Sequence, residues 1–150
     1  MNFTLKTFLP YRLNRLAEAV SAEIRPVYRD RFGLNRPEWR ALVALADIGP
    51  CTAKEIGAHS AQHKTKVSRA VWALEQRRWL RRETAPADRR SETLSLTPAG
   101  RCAYGELLAP MCEREEQILG RLNVKERAAL DIALSALEAA MGLGRDRRRA

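Results

Sequence analysis

Apolar residues recur in steps of three and four along most of this chain. Leu9, Leu13, Leu16, Val20, Ile24 and Val27 form one such stripe, which predicts a long helix from near the N-terminus to Tyr28, with Pro26 inside it and expected to kink it. A second helix is predicted from Arg36 to Asp47, carrying Trp39, Leu42, Val43 and Leu45, before Gly49-Pro50 stops it. Thr52-Ala53-Lys54-Glu55 has the spacing of a capping box, so a short helix should run from Ala53 to about His59. After the polar break Ser60-Ala61-Gln62, the segment from His63 to Arg77 sets Val67, Ala70, Val71 and Leu74 on one apolar face. A hairpin is predicted between Leu80 and Gly100. Thr97 then suits an N-cap, with Pro98 at the first position of a helix reaching about Leu119. Leu130, Leu134, Leu137 and Met141 form the last stripe.

The order helix, turn, helix, hairpin makes the fold class mainly α (α+β), a winged helix-turn-helix with long N- and C-terminal helices. At 150 residues the chain suits one compact domain. The expected division is a winged lobe over residues 36–100, terminal helices over 5–32 and 101–142, and a basic tail over 143–150 expected to be disordered. The terminal stripes have too little core of their own to cover them, so they are expected to bury against a second copy in a homodimer.

Charge sharpens this picture. Residues 63–90 hold nine Lys or Arg against three Asp or Glu, whereas residues 91–144 hold five against eight. Concentrated positive charge favours a polyanion partner. The face of the second helix of the pair opposite Val67 carries Lys64, Thr65, Lys66, Ser68 and Arg69, a mixture of cations and short hydroxyls that suits the major groove of double-stranded DNA. At the hairpin tip, Asp88-Arg89-Arg90 sets arginines beside a carboxylate that can orient their forks toward a groove. The bland reading of that tip is a solvated basic turn. A membrane is not the expected polyanion, because the longest apolar run nearby, Ala41 to Ala46, is far too short to span a bilayer.

These motifs are where the chain resembles MarR-type (multiple antibiotic resistance regulator) winged-helix transcription factors. The resemblance is carried by Thr52-Ala53-Lys54-Glu55-Ile56-Gly57, by Lys66-Val67-Ser68-Arg69 followed by Leu74-Glu75, and by Asp88-Arg89-Arg90 with Leu94-Ser95-Leu96-Thr97-Pro98-Ala99-Gly100. Helix order extends it over roughly residues 8 to 140. It implies a symmetric dimer joined through the terminal helices, a pseudo-palindromic operator, and repression relieved by a small effector such as an aromatic carboxylate or phenolic. Carried over by position, Lys64, Thr65, Lys66, Ser68 and Arg69 serve the major groove. Arg89 or Arg90 probes the minor groove, Arg90 being favoured, with Asp88 orienting an arginine. Tyr11, Arg12, Arg15, Trp39 and Arg40 lie on the helices that wall the family's effector cleft. The alternative for these five is that Trp39 is core and the arginines face solvent. One departure is Arg78-Trp79, where the family usually has a glycine; a non-glycine there must take a left-handed conformation or close the helix another way.

Other chemistries carry less. His59 and His63 stand four apart, but no Cys, Asp or Glu completes a metal site, so no metal and no cofactor is expected. Cys51 beside the Thr52 cap is a candidate for a thiol acidified by a helix N-terminus, and a cysteine-based redox sensor of the same fold is one alternative; Cys102 and Cys112 read as packed thiols. A winged-helix module that binds an acidic protein is another. There is no glycine-rich phosphate loop and no nucleophile elbow, so an enzyme is not expected. Three cysteines without metal spacing, and a start lacking a charged leader and long apolar core, point to a cytoplasmic protein.

Overall fold

The computed structural model describes the backbone of residues 4–85 and 88–143, and the side chains of those residues apart from 85–91. After a 3-10 turn at Leu5–Thr7 come α1 (Leu9–Phe32), α2 (Arg36–Ile48), α3 (Ala53–His59), α4 (Lys64–Gln76), β1 (Leu80–Ala85), β2 (Asp88–Leu96), α5 (Pro98–Leu119) and α6 (Val124–Ala140). Met1–Arg114 and Glu115–Ala150 form two compact units.

Local chemistry sets most of the boundaries. Helix α1 continues through Pro26 and closes at Gly33, whose φ of 63° no β-carbon-bearing residue adopts cheaply. Arg77 covers the carbonyls left open there, its Nη1 donating to the Phe32 oxygen at 2.8 Å and its Nη2 to that of Gly33 at 3.4 Å. Three reciprocal capping boxes start helices: Asn35 with Glu38 at α2, Thr52 with Glu55 at α3, and Asn123 with Glu126 at α6. Helix α4 ends in the left-handed conformation that its sequence made costly. Arg78 has φ 59°, its amide donates to Glu75 O at 2.8 Å, and the Trp79 amide donates to Leu74 O at 3.0 Å. Those two bonds are the Schellman pattern, closed by an arginine where glycine is usual.

The core lies within the first unit. Leu42 and Leu45 of α2, Ile56 of α3, Val67, Val71 and Leu74 of α4, Leu80, Leu94 and Leu96 of the hairpin, and Leu107 of α5 are all buried. Tyr28 stacks on Trp39 with ring centroids 5.7 Å apart, and Phe32 meets Trp79 edge-on at 5.1 Å. The two strands pair antiparallel from Leu80↔Leu96 to Thr84↔Glu92, after which the register jumps to Ala85↔Asp88. Cys51 and Leu94 exchange both backbone hydrogen bonds, which pins the loop before α3 to the base of the hairpin. The helix pair and the hairpin are thereby fixed as one body.

The outer surfaces of α1 and α6 are different. Leu9, Leu13, Leu16 and Val20 of α1 are exposed, and α6 buries none of its residues while presenting Leu130, Ile132 and Leu134.

Candidate nucleic-acid interface

Helix α4 is built so that one side packs and the other faces outward. At about 100° per residue, the buried residues Val67, Ala70, Val71 and Leu74 cluster on one side, and Thr65, Arg69, Trp72 and Gln76 lie within about 30° of the line directly opposite. Ser68 stands about 70° off that line, and Lys64 and Lys66 about 90 to 110° off it on opposite flanks. Lys64, Thr65, Lys66, Ser68 and Arg69 are all exposed, and none makes an ion pair among the described residues. Short polar and fork-shaped groups thus face outward, with one ammonium on each side. A helix lying in a groove would meet base edges with the first set and the two phosphate walls with the second.

The turn before α4 is sealed tightly. The buried Ser60 hydroxyl donates to Ile56 O at 2.6 Å and accepts from Gln62 Nε2 at 2.9 Å, while Ala61 takes φ 48°. At Gly57 a β-carbon would stand 3.1 Å from the Gln62 carbonyl oxygen, so glycine lets α3 approach that turn. Between α3, α4 and β2 lies a cleft of about 630 Å³ with Val67, Val71 and Leu94 in its walls and Lys54 and Lys64 at its edge. Lys54, exposed on α3, was not singled out from the sequence, where one lysine inside a capping box carries no signal of which way it faces.

The charge count needs correction. Residues 63–90 are strongly basic, yet several of their cations are spent inside the protein. Arg82 joins Glu75 of α4 at 3.3 Å and also pairs with Glu92 across the hairpin, which raises its pKa further. Arg81 pairs with Glu83 at 3.0 Å and bonds Ser95 Oγ. Arg77 caps α1 and lies over the Trp79 ring. The hairpin stem is therefore a neutralised strut, and among the described residues Lys54, Lys64, Lys66, Arg69 and Arg78 make no ion pair. Asp88, Arg89 and Arg90 belong to β2 by backbone, and their side chains lie outside the described residues.

The five residues expected to wall an effector cleft divide into two places. Trp39 and Arg40 line a concavity of about 250 Å³ with Val20, Ile24, Tyr28 and Arg36. Trp39 is half-buried against the core, so its ring serves packing as well as the concavity wall. Burial, and then the neighbouring Arg36, push the Arg40 pKa below its ordinary value. Tyr11, Arg12 and Arg15 line a second concavity, of about 340 Å³, where the Arg15 guanidinium sits 5.7 Å from the Tyr11 ring centroid.

The structure disfavours the acidified-thiol alternative for Cys51 and overturns the packed reading of Cys102 and Cys112. Cys51 is buried, and burial followed by the Glu55 carboxylate pushes its thiol pKa up. Cys102 and Cys112 are exposed on α5 instead of packed within the chain. His59 bonds Asp47 Oδ2 at 2.7 Å. Among the described residues no group of three His, Cys, Asp or Glu side chains is placed to hold a metal, and no helix is long and apolar enough to cross a membrane.

Comparison with known proteins agrees with this geometry. A model of the MarR family matches residues 32–91. An uncharacterized HTH-type transcriptional regulator of Bacillus subtilis (strain 168), YwoH, is 28% identical over 114 residues, which is 76% of this chain and 79% of the relative. A probable transcriptional regulator from Pseudomonas aeruginosa superposes with a TM-score of 0.73 at 29% identity, covering 89% of this chain and 99% of that one. Bordetella bronchiseptica BpsR, whose DNA binding is regulated by 6-hydroxynicotinic acid, superposes with a TM-score of 0.75 at 26% identity, covering 92% and 98%.

Proposed function

We propose that the chain is a winged-helix transcriptional regulator of the MarR family, whose model matches residues 32–91, a DNA-binding protein and not an enzyme, and that it is a cytoplasmic, ligand-responsive repressor that binds a pseudo-palindromic operator as a homodimer. The observation that carries this reading is the outward face of α4, where Thr65, Ser68 and Arg69 stand between Lys64 and Lys66, none of them in an ion pair among the described residues. Thr65, Ser68 and Arg69 read base edges, and the two lysines hold the flanking phosphates. Arg90, with Arg89 beside it and Asp88 to orient it, enters the adjacent minor groove. Dimerisation through residues 5–32 and 101–142 supplies the cover that Leu9, Leu13, Leu16, Leu130 and Leu134 lack within one chain.

The effector is an aromatic carboxylate or phenolic. Arg40 supports this reading: it is half-buried, it lies beside Arg36 with the Tyr28 and Trp39 rings close by, and its charge is poorly solvated. An anion entering that concavity restores the solvation that burial removes, and a flat ring extends the stack. The regulation of BpsR by 6-hydroxynicotinic acid, a ring bearing both a carboxylate and a hydroxyl, is in keeping with it. Tyr11, Arg12 and Arg15 are the second candidate subsite.

The test is competition of labelled upstream DNA against generic duplex at fixed salt. A repressor gives a preference on the order of 10³ or more, whereas a module for acidic proteins gives none. Titration with hydroxylated benzoates and nicotinates should then release the operator, and Arg40→Ala should abolish release without abolishing DNA binding.

A further inference from the structure

The one bulky apolar side chain on the outward face of α4 has no role in the fold. Trp72 is 62% exposed and has no ring or cation–π partner among the described residues, whereas Trp39 and Trp79 are partly buried against the core. It lies about two turns beyond Thr65 and almost in line with it, flanked by Ser68 and Arg69. Leaving an indole in water forfeits the burial such a ring normally supplies, so its place at the centre of a cationic surface asks for an apolar partner on a polyanion. Base edges in the major groove offer one apolar group, the C5-methyl of thymine.

We propose that Trp72 is a specificity-determining residue that buries a thymine methyl in each half-site of the operator. This rests on the DNA-reading role of α4 and adds a base preference to it. The indole has a donor and no acceptor, so a ring lodged against the groove floor discriminates by contact with that methyl and disfavours the bare edge of cytosine.

The test replaces each operator thymine in turn by deoxyuridine, which removes only the methyl. The wild-type protein should lose affinity about fourfold at one symmetry-related position in each half-site, and about fifteenfold when both are changed, as expected for one methyl's burial per site. Trp72→Ala should bind more weakly, become indifferent to uridine at that position, and keep its response elsewhere. Trp72→Phe should retain part of the sensitivity. Both variants should melt like the wild type because the ring is exposed. A Trp72→Ala protein with the wild-type uridine profile overturns the proposal, as does a Trp72→Ala protein that changes oligomeric state in sedimentation, which would assign the ring to a second copy. Wild-type protein with no operator preference at all would instead overturn the DNA-reading role of α4 itself.

Discussion

The Thr97 hydroxyl donates to the carbonyl oxygen of Arg78 at 2.7 Å and accepts from the Gly100 amide at 3.1 Å. One side chain thus caps α5 and holds the left-handed residue that ends α4. The Thr97 amide adds a third tie, donating to Trp79 O at 3.0 Å. Thr97→Ala should cost about 1–2 kcal/mol in chemical denaturation, since it removes a cap and leaves the Arg78 carbonyl without this donor. Arg78→Gly should act in the opposite direction, raising stability by about 0.5–1 kcal/mol by relieving the φ of 59°. Loss of stability in Arg78→Gly would mean that the arginine side chain contributes more than its backbone costs.

Gly100 is required by a close approach and not by an unusual backbone. A β-carbon there would lie 2.1 Å from the Trp79 carbonyl oxygen and 2.9 Å from its carbonyl carbon. Backbone cannot yield as a side chain can, so the first turn of α5 would have to lift off the hairpin base. Gly100→Ala should therefore destabilise by about 3 kcal/mol or more, or prevent soluble expression. Gly105→Ala, on the same helix with open space around it, is the control and should be neutral or slightly stabilising. Equal melting of the two variants would refute the clash.

These two contacts mark where sequence reading stops. The Thr-Pro start of α5, the Thr52 box and the apolar face of α4 were legible because each is a local pattern a few residues long. Asn35 with Glu38 fixes the start of α2 in the same way, with a proline in the first turn, although that box was not singled out from the sequence. The fate of the basic residues was not legible. Arg77 caps a helix 44 residues earlier in the chain, and Arg82 bridges Glu75 and Glu92, pairings that only tertiary structure creates. Counting charge along the sequence therefore overstated the free positive surface. The state of Cys51 was left open by the sequence for a related reason: proximity to a helix start is visible there, and the burial that raises the thiol pKa is not.

Thiol chemistry should follow burial. Cys102 and Cys112 should react promptly with an aromatic disulfide reagent at neutral pH, and Cys51 should react only on unfolding. Because the folded state raises the Cys51 pKa, it favours the neutral thiol. That contribution to stability is complete below the unfolded thiol pKa and is lost as pH rises through the folded one. Cys51→Ala should remove this alkaline decline and leave DNA binding insensitive to peroxide, as it is expected to be in the wild type. A peroxide-induced release that vanishes in Cys51→Ser would reinstate the redox alternative.

The split between positioning and reading proposed for the outward face of α4 should show on substitution. Lys64→Ala and Lys66→Ala should each weaken binding to all duplexes alike, with the slope of log affinity against log salt shallower by about one for each phosphate left without its lysine. Arg69→Ala and Thr65→Ala should instead flatten discrimination at particular base pairs, by roughly 1–3 kcal/mol for each good base pairing removed. Arg90→Ala should behave like the lysine variants, because a minor-groove arginine senses groove width and backbone, and preference at major-groove positions should survive. Asp88→Ala should resemble a milder Arg90→Ala, since it removes the orienting carboxylate and keeps the cation. Matched and mutated operators titrated over a salt series distinguish the classes. If Lys64→Ala changes base preference while Arg69→Ala changes only the salt slope, α4 sits in the groove rotated from the orientation its buried face implies.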